Sequence, residues 1–155
     1  MTNALQFGTP EPGLEHQDRP SAFGVVQRDG LIACVRVDRG EGSYFDLPGG
    51  AIDAGEDEAE ALVREFREET GLAVRPGERF AAAGQYFRKT DGKPVNNLAG
   101  FWTAEVEAYD PAAKCEDDHE LVWLDPDRAL RELRHDAHAW AVTAWLRKRQ
   151  RDGAD

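Results

Sequence analysis

The apolar residues near the start of the chain fall into two short runs that are rich in β-branched side chains. The runs cover residues 22–28 and 31–37, and Asp29-Gly30 lies between them. Runs of this composition are typical of β-strands, and an Asp-Gly pair between two such runs is typical of a tight hairpin turn. The pattern therefore predicts an antiparallel β-hairpin.

A helical period replaces this pattern from about Glu56 to Thr70. Apolar residues then recur at intervals of three and four, at Ala59, Leu62, Val63 and Phe66. This spacing places them in one stripe along a helix, and Gly71 supplies the expected C-terminal stop. The segment before the helix, residues 38–50, is rich in glycine and turn-forming residues, so we expect a loop there.

Three further segments have the apolar and aromatic content of strands, and two later segments have a helical period. The predicted strands lie within residues 73–89, 96–109 and 119–125, and the predicted helices within residues 126–134 and 135–151. This order of strands, helix, strands and helix indicates an α+β fold.

The first 20 residues have no periodic apolar pattern and contain three prolines and two glycines. We interpret residues 1–20 as an N-terminal arm or loosely attached lead-in. A chain of 155 residues is long enough for one hydrophobic core and too short for two ordinary domains. The sequence therefore predicts a single domain over residues 21–150.

The charge of the chain limits its partners. The formal net charge is −11, which repels nucleic-acid backbones, whereas a small polyanion can still bind through a bridging divalent cation. The start of the chain lacks the features of a signal peptide, and no apolar run is long enough to span a membrane. We expect a cytoplasmic protein, with Cys34 and Cys115 as reduced thiols.

Three glutamates, Glu65, Glu68 and Glu69, crowd the second half of the predicted helix. Like charges three and four residues apart each cost a few tenths of a kcal/mol, and acidic groups near a helix C-terminus oppose its dipole. A bound cation would offset both costs. The alternative is an ordinary solvated face, because Arg64 can pair with Glu60 and Glu68 at i,i+4 spacing.

Several carboxylates on successive helical turns provide the oxygen ligands that hard divalent cations prefer. The spacing suits Mg²⁺, with Mn²⁺ as an alternative. Zinc is disfavoured because neither histidine nor cysteine accompanies the cluster in the sequence. The glycines before the helix, Gly49 and Gly50, would allow the backbone to approach a ligand closely.

Residues 50–72 resemble the signature of the Nudix hydrolases of the MutT type. That signature is a glycine, five residues, a glutamate, seven residues, and then the run R-E-apolar-x-E-E-x-G-apolar. Its nine specified positions are filled by Gly50, Glu56, Arg64, Glu65, Phe66, Glu68, Glu69, Gly71 and Leu72. The resemblance extends over roughly residues 21–150.

The resemblance implies a fold, a reaction and a set of roles. The fold would be an α/β/α sandwich with a mixed β-sheet, and the reaction would be hydrolysis of a phosphoanhydride bond in a nucleoside diphosphate linked to another moiety. The implied metal ligands are Glu65, Glu68 and Glu69, and the implied site-shaping residues are Gly49, Gly50, Glu56 and Arg64. In this family the general base comes from a glutamate of the signature, such as Glu68 or Glu69, or from one on a later loop.

The later loop offers Glu120 as the first candidate for the general base and Glu116 as the second, because both lie near the start of an apolar strand; the alternative is a solvated acidic loop. His119 between them is interpreted as a loop histidine. His135 and His138 stand three residues apart on the last predicted helix, without enough neighbouring ligands for a metal, and are interpreted as structural or surface residues.

The candidate substrate-binding residues are Tyr86, Arg88 and Asn97. Tyr86 and the adjacent Phe87 could stack on a base or belong to the core. Arg88 and the adjacent Lys89, in a predicted hairpin loop, could bind a distal phosphate or belong to a solvated turn, and Asn97 could bind a base or ribose or complete a turn. The sequence leaves the nucleotide undefined.

Two alternatives to a hydrolase are a non-catalytic Nudix-fold module that binds or senses nucleotides, and an isomerase that shares the fold. Non-catalytic relatives commonly lack signature residues, whereas every signature position is filled here. An isomerase would need further catalytic residues that the sequence does not identify. The expected partner is a small nucleotide, without a nucleic-acid polymer or a membrane, and a homodimer is suggested by the resemblance alone.

Overall fold

The structure is a computed structural model that describes residues 5–153. The strands are β1 (Leu5–Phe7), β2 (Gln17–Arg28), β3 (Leu31–Asp38), β4 (Ser43–Asp46), β5 (Gly49–Ala51), β6 (Leu72–Arg88), β7 (Pro94–Tyr109) and β8 (His119–Leu124). The helices are α1 (Glu58–Thr70), α2 (Pro126–Glu132) and α3 (Asp136–Arg151). The order confirms the predicted α+β class. No helix within residues 5–153 is both long and apolar enough to span a membrane.

The predicted hairpin is formed by β2 and β3. Asp29 and Gly30 both have positive φ angles, 52° and 79°, as a two-residue turn that matches the twist of antiparallel strands requires. Arg28 pairs with Leu31 across the turn. The Asp-Gly signal was therefore sufficient to place this turn.

The sheet mixes parallel and antiparallel pairs. Its main path runs β1-β6-β7-β2-β3-β4, with β5 paired to β2 and β8 paired to β3. β2 pairs in parallel with β7, whereas β6 and β7 are antiparallel. The mixed sheet that the resemblance implies is confirmed.

Helices cover both faces of this sheet, and β2 contributes to both cores. Successive side chains of a strand point to opposite faces. Accordingly, Ala22 and Val26 pack in one core with residues of α1, while Phe23 and Val25 pack in the other with residues of α3. The result is the α/β/α sandwich implied by the signature.

Phe66 fixes the position of α1 against β2. Its side chain is fully buried, and burial of such a side chain contributes about 1.5 to 3 kcal/mol. The helix lies so close to the strand that a Cβ atom at Gly24 would be 2.8 Å from the Phe66 ring. This packing determines which side of α1 is left to face the loop before it.

Two segments that the sequence analysis described as irregular contain strands. The predicted loop over residues 38–50 includes β4 and the beginning of β5, which are short and gain their hydrogen bonds from β3 and β2. In the predicted arm, β1 pairs in parallel with β6, and β2 begins at Gln17. Residues 5–20 are therefore attached to the sheet, and residues 1–4 of the arm lie outside the described residues.

Candidate active site

Helix α1 is capped at both ends by local sequence. Asp57 and Glu60 form a capping box, in which each side chain accepts a hydrogen bond from the other residue's backbone N–H. Gly71, with φ 80°, donates its N–H to the carbonyl of Arg67. These caps fix the helix over the length that carries the glutamates.

The turn before α1 brings backbone against the glutamates. Gly49 has φ 144°, and its N–H donates to Glu69 Oε1 at 3.1 Å. A Cβ atom at Gly50 would lie 2.8 Å from the Glu65 carboxyl carbon. The close approach therefore leaves no room for a side chain at either glycine.

Arg64 connects the loop to the helix. Its guanidinium donates to both carboxylate oxygens of Glu56, at 2.7 and 3.0 Å, and to the carbonyl of Ala51 at 3.0 Å. The same group donates to Glu65 Oε1 at 3.1 Å and to Glu68 Oε1 at 3.0 Å. The hydrogen bond with Glu56 is the largest influence that raises the pKa of Arg64.

The carboxylates of Glu65 and Glu69 lie in an unfavourable environment for negative charge. Burial, reinforced by the charge of Glu65, raises the pKa of Glu69 well above its ordinary value. Burial also raises the pKa of Glu65, although Arg64 opposes this effect. Because a divalent cation would neutralise this repulsion with oxygen ligands that it prefers, the residues present fit such a cation.

A later loop completes the cluster. The carbonyl of Glu68, near the end of α1, accepts hydrogen bonds from the backbone N–H groups of Cys115 and Glu116 at 2.9 and 3.1 Å. These bonds hold the loop on the helix end, so that Glu116 lines the same cavity as Glu65 and Glu69. The charge of Glu116 further raises the pKa of both signature glutamates.

The structure does not place Glu120, the first candidate for the general base, in this cluster. Its side chain is 66% exposed and lies 3.8 Å from Arg36 in an ion pair. Glu120 follows His119 in β8, and neighbouring strand residues point to opposite faces. Since His119 points into the cavity, Glu120 points away from it, and Glu116 takes the place expected for Glu120.

The cavity has a volume of about 370 Å³. Its acidic end is formed by Glu65, Glu69 and Glu116, while Glu68 is held beside them by Arg64 and does not line the cavity among the described residues. The remaining lining carries cationic, aromatic and amide groups together with the carboxylates of Asp46 and Asp91. These include Arg19, Arg39, Tyr44, Phe87, Lys89, Asn97 and Arg134.

Three of these cations are already paired with carboxylates, and the longest of these contacts joins Lys89 to Asp91 at 3.7 Å. Arg134 binds Asp46 at 2.8 Å and lies 3.7 Å over the Tyr44 ring, and Arg39 binds Asp118 at 2.9 Å. Arg19 instead donates to Asn97 Oδ1 at 2.9 Å. Burial lowers the pKa of Arg19, and the charges of Glu65 and Glu69 partly compensate.

The predicted substrate-binding residues separate between the two faces of the sheet. Asn97 lines the cavity, and so does Phe87. Tyr86 packs edge-on against His16, and Arg88 binds Glu11 at 2.6 Å, so neither lines the described cavity. The alternation of β6 explains the division, because Phe87 lies between Tyr86 and Arg88 and points to the other face.

His135 and His138 are both buried at the inner end of the cavity. His138 Nδ1 accepts a hydrogen bond from the N–H of Leu47 at 3.2 Å, and His135 packs against Phe87 with ring centres 4.6 Å apart. Burial lowers the pKa of His135 to about 3 and lowers that of His138 well below its usual value. Both are therefore neutral packing groups at physiological pH.

The cavity also contains residues that were not proposed as functional from the sequence, among them Arg19 and His119. Arg19 lies within the predicted arm, and no local pattern distinguishes it. His119 was interpreted as a loop residue. It lies between the two candidate glutamates of the later loop, and that position was the available signal.

Comparison with known proteins agrees with this description. Residues 17–146 match the NUDIX domain family. The chain is 29% identical over 108 residues to the CTP pyrophosphohydrolase of Escherichia coli, covering 68% of this chain and 75% of that protein. It is 42% identical over 50 residues to the ADP-ribose pyrophosphatase of Methanocaldococcus jannaschii, which covers 32% and 30% of the two chains.

A solved structure of a NUDIX hydrolase from Nitrosomonas europaea is similar in fold. It has a TM-score of 0.73 at 19% sequence identity and covers 85% of this chain and 90% of its own. The family match extends over most of the chain and includes the whole signature. The chain therefore belongs to the Nudix family and is a hydrolase of acid anhydrides in phosphorus-containing compounds.

Proposed function

We propose that the chain is a divalent-metal-dependent pyrophosphohydrolase of small nucleotides, with a nucleoside triphosphate of the CTP type as its first candidate substrate. The observation that carries this proposal is the convergence of Glu65, Glu69 and Glu116 at one end of a cavity with a cationic and aromatic wall. A cation and a polyphosphate bound between the glutamates and the cationic wall would offset the repulsion among these carboxylates.

The proposed metal ligands are Glu65, Glu68 and Glu69, and the cation would be Mg²⁺ or Mn²⁺. When bound, it would neutralise phosphate charge and lower the pKa of a coordinated water. Arg64 keeps Glu65 and Glu68 in place through its hydrogen bonds. The Gly49 N–H holds one oxygen of Glu69 and leaves the other to face the cavity.

Glu116 is the proposed general base. It lies on a loop fixed to the end of α1, in the cavity with the two buried glutamates. A carboxylate in this position can accept a proton from an attacking water. Glu120, the residue first expected in this role, is directed to Arg36 and solvent.

The cationic wall would bind the phosphates and the base. Arg19 has no carboxylate partner among the described ion pairs, so its remaining N–H groups can donate to phosphate oxygens. Lys89 lies near the cavity mouth with Asp91 as its partner at 3.7 Å. Phe87 offers an aromatic face, and the amide nitrogen of Asn97 is a donor for a base or ribose oxygen.

The choice of nucleotide is supported by the relatives. The match to the CTP pyrophosphohydrolase extends over most of both chains, whereas the match to the ADP-ribose pyrophosphatase covers less than a third of each. A triphosphate cleaved between its α and β phosphorus atoms would yield a nucleoside monophosphate and pyrophosphate. This product pair distinguishes the proposed reaction from release of inorganic phosphate.

The test is a substrate panel with the purified full chain. CTP, UTP, ATP, GTP and ADP-ribose would be incubated with Mg²⁺ or Mn²⁺, and with EDTA as the metal-free control, and products separated by anion exchange. We expect metal-dependent conversion of CTP to CMP and pyrophosphate. Metal-dependent cleavage of ADP-ribose alone would overturn the assignment of CTP as the substrate. Absence of turnover on every substrate would overturn the proposed hydrolysis in favour of a binding module.

A further inference from the structure

His119 lies between two carboxylates in the wall of the cavity. Its side chain is only 10% exposed, Nδ1 is 2.7 Å from Asp118 Oδ1, and Nε2 is 3.5 Å from Glu69 Oε2. The first contact is a short hydrogen bond. The second is longer than the usual range of about 2.7 to 3.2 Å for an N–H···O bond.

The hydrogen bond to Asp118 sets the orientation of the ring. An ionised carboxylate can only accept, so Nδ1 donates in this contact, and the tautomer with its proton on Nδ1 has its lone pair on Nε2. That nitrogen faces the Glu69 carboxylate, which is another acceptor. Two acceptors directed at the same space are stable together when a cation lies between them.

This arrangement is typical of histidines that bind metals. A ligating imidazole usually donates its other N–H to a carboxylate, which fixes the tautomer and the ring orientation. Asp118 performs that role here and is itself held by Arg39 at 2.9 Å. Glu116, Asp118 and His119 offer ligand atoms that all lie within 4.8 Å of one another, so the Glu116 carboxylate is also near the imidazole.

We propose that His119 binds the catalytic cation through Nε2, together with Glu69. The inference rests on the proposed metal-dependent function and goes further, because one nitrogen ligand changes which metal the site prefers. Carboxylate and water ligands suit Mg²⁺, whereas imidazole suits first-row transition ions. The site therefore prefers Mn²⁺, Co²⁺ or Zn²⁺ over Mg²⁺.

A nitrogen ligand at this position also suits zinc, although no histidine lies near the glutamates in the sequence. His119 is 50 positions after Glu69 in the chain, yet its ring reaches the same carboxylate. The pairing of β8 with β3 and the docking of residues 115–116 on α1 bring the two together.

The test uses Mn²⁺ alone as the probe, with the full chain and no nucleotide. Pulsed electron paramagnetic resonance detects ¹⁴N modulation when an imidazole nitrogen binds Mn²⁺ directly. We expect this modulation in the wild type and its loss in His119→Gln, while His16→Gln, a histidine outside the cavity, retains it. Calorimetry should show Mn²⁺ affinity about tenfold weaker in His119→Gln and Mg²⁺ affinity changed much less.

A second variant keeps the proposal testable if His119→Gln does not fold. Asp118→Asn keeps the imidazole and removes the anion that orients it, so we expect weaker Mn²⁺ binding with the ¹⁴N modulation retained. Absence of ¹⁴N modulation in the wild type, or equal modulation in His119→Gln, would overturn the proposal. Equal losses of Mn²⁺ and Mg²⁺ affinity in His119→Gln would reduce His119 to a positioning residue for Glu69.

These outcomes are independent of the hydrolytic assay. Direct nitrogen coordination in a protein that cleaves no nucleotide would support the metal ligand and contradict the proposed function. Metal-dependent cleavage of CTP by a protein without ¹⁴N modulation would support the function and contradict the ligand.

Discussion

The N–H of Gly49 in β5 donates a hydrogen bond to Glu69 Oε1. This bond joins the segment before α1 to a carboxylate of the proposed metal site. The bond requires the unusual φ of 144° at Gly49, and it anchors a side chain that is otherwise destabilised by burial. The relation explains why a glycine and a glutamate 20 positions apart are needed together. It also allows the geometry of the turn to be tested separately from the chemistry of the carboxylate.

Gly49→Ala is expected to destabilise the protein by about 3 kcal/mol or more. The added Cβ would lie 2.1 Å from the carbonyl oxygen of Ala22, in a backbone conformation that alanine rarely adopts. Gly40→Ala is the matched control, because φ is also positive there and no atom lies within 4 Å, so about 1 kcal/mol is expected. Denaturant unfolding measures both, and equal losses would contradict the close approach at Gly49.

Metal-free Glu69→Gln is expected to be more stable than the wild type at neutral pH. Burial raises the pKa of Glu69 above 4.5, so the folded state binds its proton more tightly than the unfolded state. The stability contributed by this group is therefore present below pH 4.5 and is lost as pH rises through the raised pKa.

The variant's advantage should therefore be larger at pH 7 than at pH 5, reaching at least about 1 kcal/mol. Glutamine can still accept the hydrogen bond from Gly49, so the turn is retained. Denaturant unfolding in EDTA at both values measures the difference. A variant that is less stable at pH 7 would show that the buried carboxylate is not under electrostatic stress.

Acid is expected to destabilise the wild type through His135. Its pKa of about 3 lies below the value of 6.5 for an unperturbed histidine, so the unfolded state binds the proton more tightly. The stability contributed by His135 is present above pH 6.5 and is lost as pH falls toward 3. Relative to His135→Gln, the wild type should lose on the order of 2 kcal/mol between about pH 7 and pH 4.5. Parallel unfolding curves for the two proteins over this range would contradict the burial of a neutral imidazole.

Arg64→Lys is expected to lower kcat for metal-dependent hydrolysis by at least about tenfold, because an ammonium cannot reproduce the fork that binds Glu56 on both oxygens. Arg75→Lys serves as the control, since its ion pair with Glu105 is exposed and contributes little. Steady-state kinetics should give Arg75→Lys the same kcat as the wild type. A wild-type kcat in Arg64→Lys would show that the guanidinium fork is not needed to hold the glutamates for hydrolysis.

Glu116→Gln and Glu120→Gln separate the two glutamates of the later loop. We expect Glu116→Gln to lower kcat by about 100-fold or more, as loss of a general base does, and Glu120→Gln to have little effect. Both variants would be compared by kcat at saturating CTP and metal. The reverse ranking would restore Glu120 as the catalytic glutamate and reject the docking of Glu116.

The sequence was most informative where structure is determined locally. The 3.6-residue period and Gly71 predict α1 and its end, and the Asp29-Gly30 pair predicts the hairpin. The spacing within residues 50–72 was sufficient to identify the signature. These features depend only on residues that are close together in the sequence, so their prediction requires no knowledge of long-range contacts.

Features that depend on strand register were not predictable. A shift of one residue exchanges the two faces of a strand, and the choice between Tyr86 and Phe87, or between His119 and Glu120, is of this kind. Arg19 reaches the cavity only because β2 pairs with β7, next to Asn97. The short strands β4 and β5 likewise depend on partners distant in the chain.

The most direct test of the central claim is the rate of metal-dependent pyrophosphate release from CTP by Glu69→Gln, measured beside wild type and Glu107→Gln, an exposed glutamate outside the site. We predict that Glu69→Gln remains folded by circular dichroism and loses at least about 100-fold in rate, while Glu107→Gln matches the wild type. A folded Glu69→Gln protein with the wild-type rate would contradict the assignment of Glu69, and with it the metal-centred site.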